Sequence, residues 1–374
     1  MSNNTNLHPS VIIIGGGIIG CSIAYHLSKA NSKVTIIEKR KIGSAASGIA
    51  AGMIAPLSEG LPKGPTLAVA QESRSLLLEL IPKLQEDSGI DVEYSSPGIL
   101  HLAYTAEEVD DLNLRLTWQK EFNMNLDWLS GIEAKKIEPS IAEDVLGALL
   151  SPNEGNLNSR RLVRSFAQAS SNNGAVLMEN TEVTGIIFSG NRVTGVNTTA
   201  GNMYADWVVM CSGPWSNHYG GWLGIDIPVF PVRGQIMAVR LLPSPITRTV
   251  WNGITYMIPK RDGSIVIGTT REHVGYKDKP TLSGISTILT NALKLVPQIA
   301  DAELHKVWSG LRPYTQDEIP IIGTIPKIEG AILAVGHYRS GILLSAITGS
   351  MVSDLVRNGE KEYMLPFNIS RFQS

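Results

Sequence analysis

Residues 10–38 read SVIIIGGGIIGCSIAYHLSKANSKVTIIE. Ser10–Ile14 is an almost purely apolar run, as a strand buried on both faces requires. Gly15, Gly17 and Gly20 follow in the spacing G-x-G-x-x-G, and Ile19, Ile23, Ala24 and Leu27 continue at helical spacing. Val34–Ile37 is a second apolar run, closed by Glu38. Strand, glycine turn, helix, strand and acid thus fall within about 30 residues, the dinucleotide-binding fingerprint. Gly15 permits the tight turn, Gly17 lets the backbone approach a pyrophosphate, and Gly20 lets the helix lie close to the strand. The helix N-terminus offers unpaired N–H groups to the diphosphate. Glu38 is placed to accept from ribose hydroxyls and to repel a 2′-phosphate.

The rest of the chain bounds what such a unit can belong to. A length of 374 residues allows two domains. With 43% hydrophobic and 18% charged residues it is globular, and a net charge of −2 gives no broad pull toward nucleic acid or anionic lipid. Cys21 and Cys211 stand in no C-x-x-C or zinc pattern, so reduced thiols, no metal site and a reducing compartment are expected. No apolar run reaches the ~18 residues of a membrane span. The N-terminal MSNNTNLHPS has no basic region or apolar core, which indicates a cytoplasmic protein without an export signal.

After Glu38, nine of the eleven residues Gly43–Met53 are Gly, Ala or Ser, which allows close backbone approach to a bulky ligand. Helices are expected over Leu67–Gln85, Ala106–Glu121, Asn158–Ser171, Thr287–Leu295 and Ile342–Val356, from apolar stripes and caps. Strands are expected at Gly98–Ala103, Ala175–Met178, Thr181–Phe188, Arg192–Thr198, Asp206–Cys211 and Ile332–Val335. Gly213 follows a core strand, where ligands of open α/β sheets bind. Pro228–Leu242 and Thr255–Thr270 alternate, with a turn at Arg261–Gly263, and read as antiparallel sheet of a second domain. The glycines of Gly336–Gly341 mark a second approach to the cofactor before the last helix.

Several pieces together resemble the D-amino-acid oxidase superfamily of FAD enzymes, and within it the bacterial glycine oxidases of thiamine biosynthesis. They are Gly15–Gly20 with Glu38, Ala51-Gly52-Met53, Val208–Gly213 with Trp215-Ser216, Pro231–Gly234, Tyr256–Pro259, Trp308–Pro313 and Gly336–Leu343. The resemblance implies an α/β fold: a Rossmann-like FAD domain from discontinuous segments (8–75, 145–216, 308–374) and an α+β substrate domain (76–144, 217–307) with a mixed, mostly antiparallel sheet. It implies FAD contacts at Ile18, Ile19, Glu38, Lys39, Ala46, Ser47, Ala51, Gly52, Met53 and Val183, and along His337, Tyr338, Arg339, Ser340, Gly341, Ile342 and Leu343. It places Arg312 on the substrate carboxylate, Tyr256 beside the substrate and Arg339 between substrate and flavin.

The implied reaction is hydride transfer from glycine, sarcosine or a small D-amino acid to flavin N5, with O2 reduced to hydrogen peroxide. A homo-oligomer is also implied, since the family is often tetrameric. FAD is expected to be non-covalent, because no cysteine follows Cys211. Arginine suits the carboxylate role because its planar fork binds bidentately; the alternative for Arg312 is an ion pair with Asp317 or Glu318. Tyr256 could be a plain core tyrosine. Ala45 and Ala46 depart from the threonines and arginine frequent in the family's flavin loop. Arg271 stands where glycine oxidases carry methionine. It either reaches the substrate pocket, where it could pair with an acidic group, or turns outward to Glu272 or Asp278. Three other readings stay open: a dehydrogenase passing electrons to a quinone or protein, a nicotinamide dehydrogenase, and a non-catalytic nucleotide-binding module.

Overall fold

A computed structural model describes residues 8–61, 64–120 and 125–372. Two large sheets organise them. The first has nine strands, and at its centre Ile328–Val335, Trp207–Met210, Ser10–Ile14, Lys33–Ile37 and Val176–Met178 run parallel. Val11 and Ile13 enter one core cluster while Ile12 and Ile14 enter another, the two-residue period of a strand covered on both faces. On the first face lie the helices Ile18–Lys29, Pro65–Ser88, Ser159–Asn172 and Ser345–Asn358. The doubly covered α/β domain expected from residues 10–38 is present.

The second sheet has eight strands in the order Glu303–Tyr314, Phe230–Arg240, Ser264–Gly268, Tyr256–Pro259, Thr249–Trp251, Ile99–Ala103, Gly147–Ser151 and Asp127–Ser130. Only the Thr249–Trp251/Ile99–Ala103 pairing is parallel, so the sheet is mixed and mostly antiparallel. One face packs on the helix Leu282–Leu295. Ile236, Trp251, Tyr256, Ile258 and Val266 form a small cluster on the other, against Ala51, Met53 and Trp308. Sheet membership cuts across the 145 and 308 boundaries: Gly147–Ser151 and the whole of Glu303–Tyr314 pair in the second sheet.

Several element ends differ from expectation. The helix expected from Leu67 begins at Pro65, which suits a first turn, and ends at Gly89, whose φ of +71° favours glycine. The helix expected from Thr287 begins at Leu282, because Thr281 caps it by accepting from the Gly284 N–H at 3.2 Å. The last helix begins at Ser345, not Ile342, leaving Gly336–Leu344 as loop. The helix from Ala106 is described to Gln119; its expected end, Glu121, lies outside the described residues. Strands Asp127–Ser130, Gly201–Tyr204 and Thr249–Trp251 carry no clear alternation and were not foreseen. Among the described residues no helix is long and apolar enough to cross a membrane, and no cluster suits a metal ion.

Candidate active site

One cavity of about 780 Å³ runs between the two sheets. At one end the glycine turn shapes it. A Cβ on Gly15, whose φ is +109°, would lie 2.5 Å from the Cys211 carbonyl oxygen, and one on Gly20 would lie 2.1 Å from that of Gly15. Strand, turn and helix can therefore meet only through glycine. Glu38 accepts from the Gly16 N–H and from the Arg40 N–H, both at 2.8 Å. The acid expected at the ribose thus also ties the turn to the strand end, and each oxygen keeps acceptor capacity toward the cavity. Lys39 is joined to Glu182 at 2.7 Å, both well exposed. If Glu38 does both jobs, Glu38→Ala yields protein that loses flavin on extensive dialysis. Full flavin occupancy after dialysis would reduce Glu38 to a strand-end charge.

The middle of the cavity is bordered by Ile18, Ile19, Ala46, Ser47, Ala51, Gly52, Met53, Val183 and Gly213, and from the C-terminal loop by His337, Tyr338, Arg339, Gly341 and Ile342. Ser47 Oγ accepts from the Ile18 N–H at 3.0 Å, which fastens the small-residue loop to the helix start. Lys260, with its three donors on Ala51 O, Asn156 Oδ1 and Leu157 O at 2.7–3.1 Å, fastens the same loop to the second sheet. Burial pushes that ammonium down to about 7. It also pushes the His337 ring down to about 3, so His337 is a neutral partner of Thr348, 3.0 Å away. Gly20, Ser340 and Leu343 do not border the cavity. Gly20 is packed on the turn, Ser340 donates its N–H to His337 O, and Leu343 lies in the apolar core.

At the far end the strand Glu303–Tyr314 explains its own motif. Trp308, Gly310 and Arg312 fall on one face by the two-residue period. The Trp308 ring N–H donates to Ile49 O at 2.9 Å, and a Cβ on Gly310 would lie 2.3 Å from Ile49 Cδ1. Arg312, largely buried, donates to Thr269 Oγ1 at 2.7 Å and to Thr270 O at 3.1 Å. A Cβ on Gly234 would lie 2.2 Å from its guanidinium, so this glycine lets the side chain lie across the neighbouring strand. Neither suggested carboxylate pairs with Arg312: Asp317 holds Arg371 at 2.7 Å, and Glu318 stands 3.9 Å from Arg339.

Tyr256 is buried with its hydroxyl near Gly268, where a Cβ would be 2.5 Å away. Burial, opposed by the Arg312 charge, pushes its hydroxyl up to about 12, so it is a neutral donor. Arg339 borders the same end and meets Glu59 Oε2 at 3.3 Å and Glu59 O at 3.3 Å. Glu59 was missed in the sequence. Its one signal is an acid in the apolar stretch that follows Ala51-Gly52-Met53. Burial raises its carboxyl, while the charges of Arg339, Arg312, Arg271 and Arg115 act the other way. The loop carrying it is held from behind by Glu154, which accepts from the Leu57 N–H at 2.6 Å and the Ser58 N–H at 3.1 Å.

Glycines and the acid Glu38 at one end, and at the other Arg312, which has no carboxylate partner among the described residues, border one continuous cavity. Residues 10–355 match the family model described as FAD dependent oxidoreductase. The chain belongs to that family.

This FAD-dependent oxidoreductase is 38% identical over 366 residues to a glycine oxidase of Geobacillus kaustophilus, covering 96% of each chain. It is 35% identical to a bifunctional ThiO/ThiG protein of Synechocystis, covering 92% of this chain and 51% of that longer one. A crystal structure of glycine oxidase from Geobacillus kaustophilus superposes with a TM-score of 0.93 at 36% identity, covering 97% of this chain and 99% of the other. FAD is the cofactor of this family, and the residues present fit it. The glycines leave room where a Cβ would collide, and two buried donors on residues bordering the cavity, Trp251 Nε1 and Arg339 Nε, have no hydrogen-bond partner among the described residues.

Proposed function

We propose that the enzyme catalyses oxidative deamination of glycine and related small amino acids, with Arg312 as the carboxylate anchor. The observation that carries this is the Arg312 guanidinium, which borders the cavity and, among the described residues, hydrogen-bonds only to Thr269 and Thr270. An α-amino acid must be held by its carboxylate, and a planar guanidinium fixes both oxygens at once. Tyr256, kept protonated by burial, donates beside it. Bound FAD supplies the acceptor for the substrate's two electrons. The chain's contribution is orientation and exclusion of water. The α-carbon loses a hydride and the amine a proton; the resulting imine takes up water to give the 2-oxo acid and ammonia. Dioxygen takes up two electrons and two protons to give hydrogen peroxide.

The test is peroxide release under air with glycine, sarcosine, D-alanine, D-proline and L-amino acids. Release with glycine or a small D-amino acid is expected. Turnover confined to a quinone or dye would instead assign a dehydrogenase. We also take FAD to be non-covalent: heat or acid should release the yellow colour into the supernatant. A cytoplasmic homo-oligomer completes the reading, and light scattering decides its size.

A further inference from the structure

Arg271 borders the substrate end of the cavity, and its neighbours show why it faces inward. Thr270 Oγ1 accepts from the Gln235 N–H at 3.0 Å and donates to Glu272. Glu272 is also hydrogen-bonded to Gln235 at 2.7 Å, is ion-paired with buried Arg233, and exchanges both backbone bonds with Arg233. Arg233 in turn donates to Lys279 O at 2.9 Å. Residues 270 and 272 are therefore fastened to the next strand. In an extended segment the alternate residues must point the other way. They do: Thr269 and Arg271 both border the cavity. The outward pairing with Glu272 that the sequence allowed is taken by Arg233. Among the described residues Arg271 has no ion pair or hydrogen bond.

The charges at this end do not balance. Arg312, Arg339 and Arg271 face one buried carboxylate, Glu59, which is spent on Arg339. Glu318, 3.9 Å from Arg339, is exposed. A substrate α-carboxylate satisfies Arg312 and leaves Arg271 over. Arg271, Arg312 and Glu59 border the same cavity, so a molecule held by Arg312 occupies space that Arg271 also lines. Arg271 is itself exposed, which keeps its guanidinium hydrated in the free enzyme and avoids the cost of an unpaired buried charge.

We propose that Arg271 binds a second acidic group, so that the preferred substrates of this enzyme are amino acids carrying two anionic groups. Glycine and D-alanine have nothing to offer it. The second acid can stand on the side chain, as in D-aspartate, or on the nitrogen, as in N-(carboxymethyl)glycine. This rests on the amino-acid oxidase reading above.

The experiment compares each acid with its amide, which keeps the shape and removes the charge: D-aspartate with D-asparagine, and N-(carboxymethyl)glycine with N-(carbamoylmethyl)glycine. Wild-type holoenzyme should favour the acid in one pair by about tenfold in kcat/KM, the scale of about 1.4 kcal/mol of discrimination. The pair that shows it tells which side carries the acid. Arg271→Met should bring that ratio close to one, and Arg271→Lys should restore most of it, because at an exposed site charge matters more than the fork. Bound flavin per chain reports that each variant is folded. Ratios near one in both pairs for wild type, or a ratio that Arg271→Met moves less than about twofold, would overturn the proposal. Failure of every amino acid, glycine included, would instead sink the oxidase reading.

Discussion

Arg312→Ala lowers kcat/KM on glycine by about 2–5 kcal/mol, some 30-fold to several thousandfold, while FAD stays bound. The size follows from leaving the substrate carboxylate in a largely buried site without its charge partner. Arg312→Lys recovers only part, because an ammonium cannot make the two parallel bonds of a guanidinium. The loss is not a folding defect in disguise. Arg312 ties down Thr269 Oγ1 and Thr270 O, but Thr270 is held independently by Gln235 and Glu272. Steady-state kinetics with flavin occupancy measured on the same sample decides it. An alanine variant with near-normal kcat/KM on glycine removes Arg312 from the carboxylate.

Glu59→Ala is the second large effect. It leaves the Arg339 guanidinium, 17% exposed, with Glu59 O and the more distant Glu318 as its remaining partners. Breaking a buried pair from one side costs roughly 3–5 kcal/mol, because the other charge stays behind. Urea unfolding should show a loss of that order, and flavin retention should fall, since Arg339 belongs to the loop bordering the cavity. Equal stability of Glu59→Ala and wild type would show that the pair contributes nothing.

The pH dependence has a definite sign. Burial raises the folded carboxyl above its ordinary 4.5, so the folded state binds more protons just above that pH. Wild-type stability therefore falls as pH rises from 4.5 through the raised value, relative to Glu59→Gln, which does not titrate there. A difference between the two that is flat across this window would mean the carboxyl is not raised.

Residues 10–38 determine much by themselves. Apolar runs, glycine spacing and a closing acid are local, and a short segment in which every residue is committed to strand, turn or helix has one way to fold. That Gly15, Gly17 and Glu38 border one end of the cavity follows from this local pattern. Arg312 was legible only through its resemblance, since Trp308, Gly310 and Arg312 share a face whose direction no local rule sets. The helix start at Thr281 was misplaced because a cap is a side-chain bond that several neighbouring residue types can make.

What tertiary structure alone decided lies at the substrate end. Glu59 meets Arg339 across 280 residues, and no spacing in the chain announces a contact made by folding. The purpose of Gly234 and Gly268 is visible only once Arg312 and Tyr256 fill the space their missing Cβ leaves. The direction of Arg271 was open between cavity and surface in the sequence. Arg233 on another strand takes Glu272, and Arg271, still exposed, borders the cavity on the opposite side of the segment. Side-chain alternation is local, but which face is the inside depends on what the neighbouring strand brings to it.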